Sequence, residues 1–490
     1  MFAKNVYENR RAALIERMRT GIYGTSFEKG PEASGLVIFI GNTEAPQNYR
    51  GNDYRFRQES SWLYFFGLQD PKMAATIDLE SGETVIYGND VDIDDIIWMG
   101  PQPSVASRAA LCGVGLTKPY AAFSETVSKA VEAGRTIHFL PPSRYYNTLL
   151  LCELLGLPSA TVRAVGAKAE GHKGASLELT KAVISLRLVK EACEIEALDA
   201  AGEIGFAMHS AARDAIRLGI VEQEIVGIME GVTISKGWGT SFTTILSQHG
   251  ETLHNHVHDK IIEPGKLLLV DAGAESNDNY ISDHTRTYPT SGKFTTRQRE
   301  IYDIVQKAND FALSAARPGV TYYSVHQDTM AVMLSGLRDL GLVKGDVAEM
   351  NAAGVAGLFQ PHGLGHNIGI DVHDMEDLGE NLVGYDPDQK RAPQLGLGSL
   401  RMARKLVPGH VVSDEPGIYF VPALIEQLKS EGFCKDFINY EALESYYDFG
   451  GIRLEDDVLI TADGARLLGS KRLPITADDV EAAMAAALAK

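Results

Sequence analysis

Four acidic residues of this 490-residue chain fall where acids are costly. Asp271 follows Leu267-Leu268-Leu269-Val270, and Asp283 ends Tyr280-Ile281-Ser282. Glu415 closes an apolar stretch that begins at Val411, and Glu455 follows Gly451-Ile452-Arg453-Leu454. A carboxylate inside a buried strand is expensive unless it is paired or bound to a cation. The few arginines nearby cannot neutralise all four, whereas divalent cations would. Histidine joins them in QPHGLGH, residues 360–366, with His373 a little further on. Gly363 and Gly365 argue for a loop between His362 and His366 that lets backbone approach a ligand closely. Four carboxylates and one imidazole suit two hard or borderline cations, Mn²⁺, Co²⁺ or Zn²⁺. Such a pair stands roughly 3.5–4 Å apart, activates water near neutral pH and polarises a carbonyl. The chemistry this favours is hydrolysis, with an amide as the bond cut.

The elements that must position these groups read as strands over 266–272, 280–288, 411–420 and 451–461. Helical spacing covers 177–217, 221–235, 297–316 and 324–340, and a short Ala-rich helix is expected over 477–490. Strands gathered among flanking helices imply an α+β domain. The first ~165 residues read separately as α/β. GLVIFIG at 35–41 is a buried strand, 74–78 and 84–87 form a hairpin about Ser81-Gly82, and 136–140 is a strand stopped by Pro141-Pro142. Helices are expected near 5–19, 123–133 and 145–155. The polar stretch 166–176 is the linker candidate, giving domains 1–168 and 176–490.

Composition narrows the classes. Lys+Arg number 46 against 65 Asp+Glu, a net charge of −19 that argues against nucleic acid and anionic membranes as partners. Apolar residues at 44% supply a core and leave no disorder signature. Charges at Lys4, Glu8, Arg10, Arg11, Glu16, Arg17 and Arg19 interrupt any signal-peptide core. No run approaches the ~18 apolar residues of a membrane span. Cys112, Cys152, Cys193 and Cys434 lie far apart, which fits reduced thiols and a cytoplasmic protein.

The motifs resemble those of a known family. LLLVDAG (267–273), SDHTRTYP (282–289), HGLGHNIGIDVHD (362–374), EPGIYF (415–420) and GIRLEDDVLIT (451–461) are similar to the pita-bread metallopeptidases: methionine aminopeptidase, aminopeptidase P and prolidase. FRQESSWLYFFGL (56–68) and WMG (98–100) resemble the N-terminal halves of aminopeptidase P and prolidase. The resemblance implies a smaller creatinase-like α/β domain followed by a pita-bread catalytic domain. It further implies that Asp271 chelates one metal, Asp283 and Glu455 bridge two, and His366 and Glu415 hold the second. Glu415 would also be the general base. His254, His362 and His373 match the outer histidines that bind the carbonyl oxygen and shuttle protons, and Arg453 matches an arginine close to substrate and ligand. Manganese is the favoured metal, with cobalt or zinc as alternatives.

Three departures stand out. His284 occupies a position where most members carry Ile, and alternation turns it away from Asp283. Asp283 comes twelve positions after Asp271, one more than usual, which implies a bulge or a longer hairpin loop. Ser282 replaces a smaller residue.

The segment GSLRMARKL (398–406) and the insert between Glu415 and Glu455 resemble prolidases. There the arginine matching Arg401 grips a dipeptide carboxylate, a task the guanidinium fork suits. Trp98 matches a tryptophan that reaches a proline ring across a homodimer. The expectation is an Xaa-Pro dipeptidase acting on proline-containing peptides. Xaa-Pro aminopeptidase is the alternative. A histidine-only creatinase-like enzyme and a non-catalytic binding protein are more distant ones.

Overall fold

Contacts divide the computed structural model, which describes residues 1–169 and 172–488, into two units. The first is Met1–Arg187 with Met375–Val383, and the second is Leu188–Asp374 with Gly384–Lys490.

In the first unit the GLVIFIG run forms strand Leu36–Ile40 inside a five-stranded mixed sheet. Its neighbours are Ala74–Asp78, antiparallel, and Ile137–His138, parallel. The predicted hairpin exists, with Ala74–Asp78 and Thr84–Tyr87 joined through Gly82 at φ 80°. Asp78 Oδ1 accepts the turn N–H groups of Glu80 and Ser81. Helices Lys4–Thr20, Ala121–Glu132 and Tyr145–Leu155 lie where helical spacing puts them. Leu36, Ile38, Val85, Tyr87, Phe123 and Val127 share one core. Buried Arg10 and Arg11 donate to the carbonyls of Tyr64 and Phe65, fastening the first helix to Ser60–Phe66.

The expected boundary needs correction. Helix Leu177–Arg187 packs on Lys4–Thr20 and belongs to the first unit. Arg17 donates to Ser185 Oγ (2.5 Å), and Arg187 donates to Ser61 Oγ (3.0 Å). The helix predicted over 177–217 is therefore two helices, Leu177–Arg187 and Ala192–Ala215. In the linker candidate, Lys168–Ala169 pairs with His172–Lys173, while Glu170 and Gly171 lie outside the described residues.

The second unit is α+β. Strand Leu267–Ala272 pairs with His284–Pro289 in unbroken register, Leu267 opposite Pro289 and Ala272 opposite His284. The long spacing between the two acids is thus absorbed by the loop rather than a bulge. Asn279 turns that loop at φ 64°, and its Nδ2 donates to Glu275 Oε1. The strand expected over 280–288 accordingly begins at His284.

Two other predicted strands break at their acids. Val411–Asp414 pairs with Asp456–Ile460, while Gly417–Tyr419 pairs with Gly451–Arg453. Pro416 has no N–H for a ladder, so the chain changes sheet at Glu415. Glu455 sits at the matching break and exchanges backbone hydrogen bonds with Thr285. Helices Thr296–Ala315 and Tyr322–Asp339 cover these strands, and Leu268, Val270, Ile301, Met333, Ile452 and Leu454 fill the core between. No helix among the described residues is long and apolar enough to cross a membrane.

Gly363 and Gly365 lie against neighbouring protein backbone, a close approach other than the one to a ligand that was expected. A Cβ on Gly365 would lie 2.0 Å from the Ser413 carbonyl oxygen. Gly365→Ala is expected to cost about 1–3 kcal/mol, as overpacking against backbone does. Urea unfolding measures it, and wild-type stability would refute the packing argument.

Candidate metal centre

Strands, or the points where their pairing ends, deliver each acid. Asp271 lies in strand Leu267–Ala272 opposite Thr285, and Asp283 immediately precedes the partner strand. The Asp283 N–H donates to Asp457 Oδ2 (2.9 Å). Thr285 Oγ1 donates to Glu455 Oε2 (2.7 Å), so one side chain aims that carboxylate. Glu415 stands at the sheet change. His366 sits on the glycine loop, where its N–H donates to Ser413 Oγ (3.0 Å). Its Nδ1–H donates to the Asn367 carbonyl (3.2 Å), which leaves the Nε2 lone pair directed at the acids. Nε2 lies 3.5 Å from Asp283 Oδ2 and 3.6 Å from Glu415 Oε1.

These five residues line one cavity of about 430 Å³. His254, His362, His373, Arg401 and Arg453 line it too. Trp98 belongs to the first unit, on helix Ile93–Met99, where it is 84% exposed. His284 is buried away from the cavity, its ring 5.9 Å from that of His209. Only a glycine fits opposite it, since a Cβ on Gly205 would meet His284 Nδ1 at 2.8 Å.

Four groups that sequence reasoning missed complete the site. Thr285 holds Glu455, and Asp457 holds the Asp283 backbone. Tyr419 accepts from Arg453 (2.7 Å) and donates to His362 Nε2 (2.8 Å). That direction is fixed because His362 Nδ1–H donates to the Gly363 carbonyl (2.8 Å). His256 lines the cavity beside His254. Position could have flagged Thr285, which shares a strand face with Asp283. Tyr419 lies within EPGIYF, but a tyrosine in a strand carries no signal of its partners.

Electrostatics favour a cation here. Burial and the adjacent Asp271 push the Asp283 carboxyl well above the usual range. Burial and Asp283 do the same to Glu455. Burial raises Glu415 to about 7 against the pull of His366 and Arg453. His362 is pushed down to about 3 by burial and Arg453, and is neutral. Arg453 donates to Asp271 Oδ2 and offsets one charge. Asp271 Oδ1, Asp283 Oδ1 and Glu455 Oε1 are buried without a hydrogen-bond partner. Ligand atoms of Asp283, His366 and Glu455 all lie within 4.8 Å of one another. Unpartnered anionic oxygens around one imidazole nitrogen fit a divalent cation.

The fold and this acid cage define a metal-dependent hydrolase. The chain belongs to metallopeptidase family M24, whose model matches residues 196–462. Residues 7–138 match the aminopeptidase P N-terminal domain. The Xaa-Pro dipeptidase of Homo sapiens is 30% identical, over 97% of this chain and 92% of that protein. A probable Xaa-Pro aminopeptidase of Podospora anserina is 30% identical, over 90% of this chain and 91% of its own. The aminopeptidase PepP of Pseudomonas aeruginosa superposes with a TM-score of 0.78 at 26% identity, covering 100% of this chain and 99% of that one. A glutamate-to-alanine variant of Escherichia coli aminopeptidase P in complex with substrate gives 0.77 at 26% identity, with both chains covered completely.

Acids whose pKa is raised by folding bind more protons folded than unfolded, so stability falls as pH rises through the raised value. With Glu415 moved from 4.5 to about 7, metal-free protein should lose stability across that interval. Thermal midpoints of chelator-treated protein should be higher at mildly acidic than at mildly alkaline pH, and a divalent cation should remove the difference. A flat profile without metal would contradict the buried-charge account.

Proposed function

We propose that this chain hydrolyses Xaa-Pro peptide bonds with two divalent ions, manganese favoured, and that its preferred substrates are dipeptides. The observation that carries the reading is the convergence of Asp271, Asp283, His366, Glu415 and Glu455 on one cavity that Arg401 also lines. In this reading Asp271 would hold one ion, His366 and Glu415 would hold the other, and Asp283 and Glu455 would serve both. Bound ions supply Lewis acidity, which acidifies water and polarises the scissile carbonyl.

The protein's own groups do the rest. Glu415 lines the cavity beside His362 and is placed to take a proton from water and deliver it to the leaving proline nitrogen. His362 Nδ1–H is 3.6 Å from Glu415 Oε2, so it is placed to offer that carboxylate a donor while its Nε2 stays engaged by Tyr419. His254 and His373 offer donors to the carbonyl oxygen. Arg453 holds Asp271 and, through Tyr419, the tautomer of His362. Arg401 presents a guanidinium fork for a free substrate carboxylate, which rewards Xaa-Pro over longer peptides.

Exposed Trp98, with Ile93, Ile97 and Met99 on the same short helix, supports a homodimer in which Trp98 meets the proline ring of the partner's substrate. Four cysteines without disulfides support a cytoplasmic setting. Release of the N-terminal residue from longer Xaa-Pro peptides is the second reading. The full-length likeness to aminopeptidase P structures favours it.

Chelation should abolish Xaa-Pro hydrolysis and Mn²⁺ should restore it. Glu415→Gln should keep the wild-type thermal midpoint while kcat falls about 10²–10⁴-fold. Near-full turnover would remove Glu415 from the base role. Arg401→Ala should reduce kcat/KM for Xaa-Pro dipeptides about 10–100-fold, the worth of a charge-assisted contact, and spare Xaa-Pro-Yaa tripeptides. An unchanged dipeptide-to-tripeptide ratio would favour the aminopeptidase reading.

A further inference from the structure

Lys190 is buried to its tip. Its side chain is 1% exposed, and its ammonium lies 3.6 Å from Asp374 Oδ2, whose side chain is also 1% exposed. Neither residue lines the catalytic cavity. Two opposite charges buried away from substrate are costly to keep unless they compensate each other.

Asp374 organises the loop that carries His366 and His373. Its N–H donates to the Asn367 carbonyl (3.0 Å), and its Oδ1 accepts the Asp371 N–H (3.3 Å). The chain wraps the carboxylate so closely that a Cβ on Gly369 would lie 2.4 Å from Oδ2. The rim of this loop reaches the other ligands. The Gly369 carbonyl accepts the Ile281 N–H (3.1 Å), two residues before Asp283. The Ile368 N–H donates to the Val411 carbonyl (3.0 Å), on the strand that leads to Glu415. Lys190 grips that approach as well, because its own N–H donates to the Gly409 carbonyl (2.8 Å). His366 and His373 face each other with ring centroids 4.2 Å apart, so a small shift of the loop moves both.

We infer that Lys190 is a positioning residue for the metal cage, acting through Asp374 to aim His366 and His373 and through Gly409 to hold the strand leading to Glu415. The inference rests on the metal reading proposed above. Lysine in a loop between two helices gives no sequence hint of this role; it emerges only from the contact with a loop nearly two hundred positions away.

The test uses chelator-treated full-length protein and Mn²⁺ as the probe. Lys190→Met removes the charge at similar length, Asp374→Asn removes it from the other side at the same shape, and the double variant removes both. Titration calorimetry reads the Mn²⁺ Kd, and thermal melts without metal read the intrinsic stability. Each single variant should raise the Kd about 10–100-fold, the usual cost of losing support behind a ligand. The double variant should be no worse than the worse single one, because the two charges act as a unit. If Lys190→Met fails to fold, Asp374→Asn alone decides. A wild-type Kd in Asp374→Asn, or losses that add in the double variant, overturns the inference. So does a lowered metal-free melting midpoint with unchanged Kd. A wild-type protein that binds no Mn²⁺ overturns the metal reading itself, and this inference with it.

Discussion

The structure turns on mutual repulsion among carboxylates held in a desolvated pocket. Asp271, Asp283 and Glu455 are buried, and Glu415 keeps 17% of its side chain exposed. Like charges so close in a medium of low effective dielectric cannot all ionise without compensation. Arg453 offsets one, and proton uptake or divalent cations must answer for the others. A fold that tolerates this arrangement has committed stability to a ligand, as functional sites commonly do.

The backbone meets that demand by using the ends and breaks of strands. Asp283 precedes its strand, while Glu415 and Glu455 lie where one sheet gives way to another. At such points a residue can leave the ladder and turn its side chain inward while its backbone stays satisfied. Glu455 shows both halves: main-chain bonds to Thr285 and a side-chain bond from Thr285 Oγ1. Pro416 enforces the change of direction beside Glu415. The glycine loop supplies the imidazole from a third direction, at an approach that a larger residue than Gly365 would block.

Much of this was legible in the sequence because the signals were local. Acids after apolar runs, glycines around histidines, and a Ser-Gly turn each carry their physics within a few residues. The four carboxylates, the glycine-flanked histidine cluster and the hairpin at Ser81-Gly82 follow from such signals, whereas the choice of His366 among three histidines comes from the resemblance. What the sequence hid was non-local. Val411 to Phe420 reads as one strand, since only the partner strands reveal that it serves two sheets. Leu177–Arg187 shares helical periodicity with the next helix, and its true neighbour, Lys4–Thr20, lies far away along the chain. Hydrogen-bond partners such as Tyr419 and Thr285 are polar residues in strands, whose directions exist only once the strands are paired.

The separation between Asp271 and Glu455 has a consequence for how the protein comes into being. Glu455 leaves the ribosome long after Asp271, so a growing chain cannot bring the four carboxylates together until synthesis has passed that point. A chain ending before Glu455 lacks both that carboxylate and the strand Asp456–Ile460 that pairs with Val411–Asp414. The order of the strands along the chain thus sets the order in which the parts of this cluster become available.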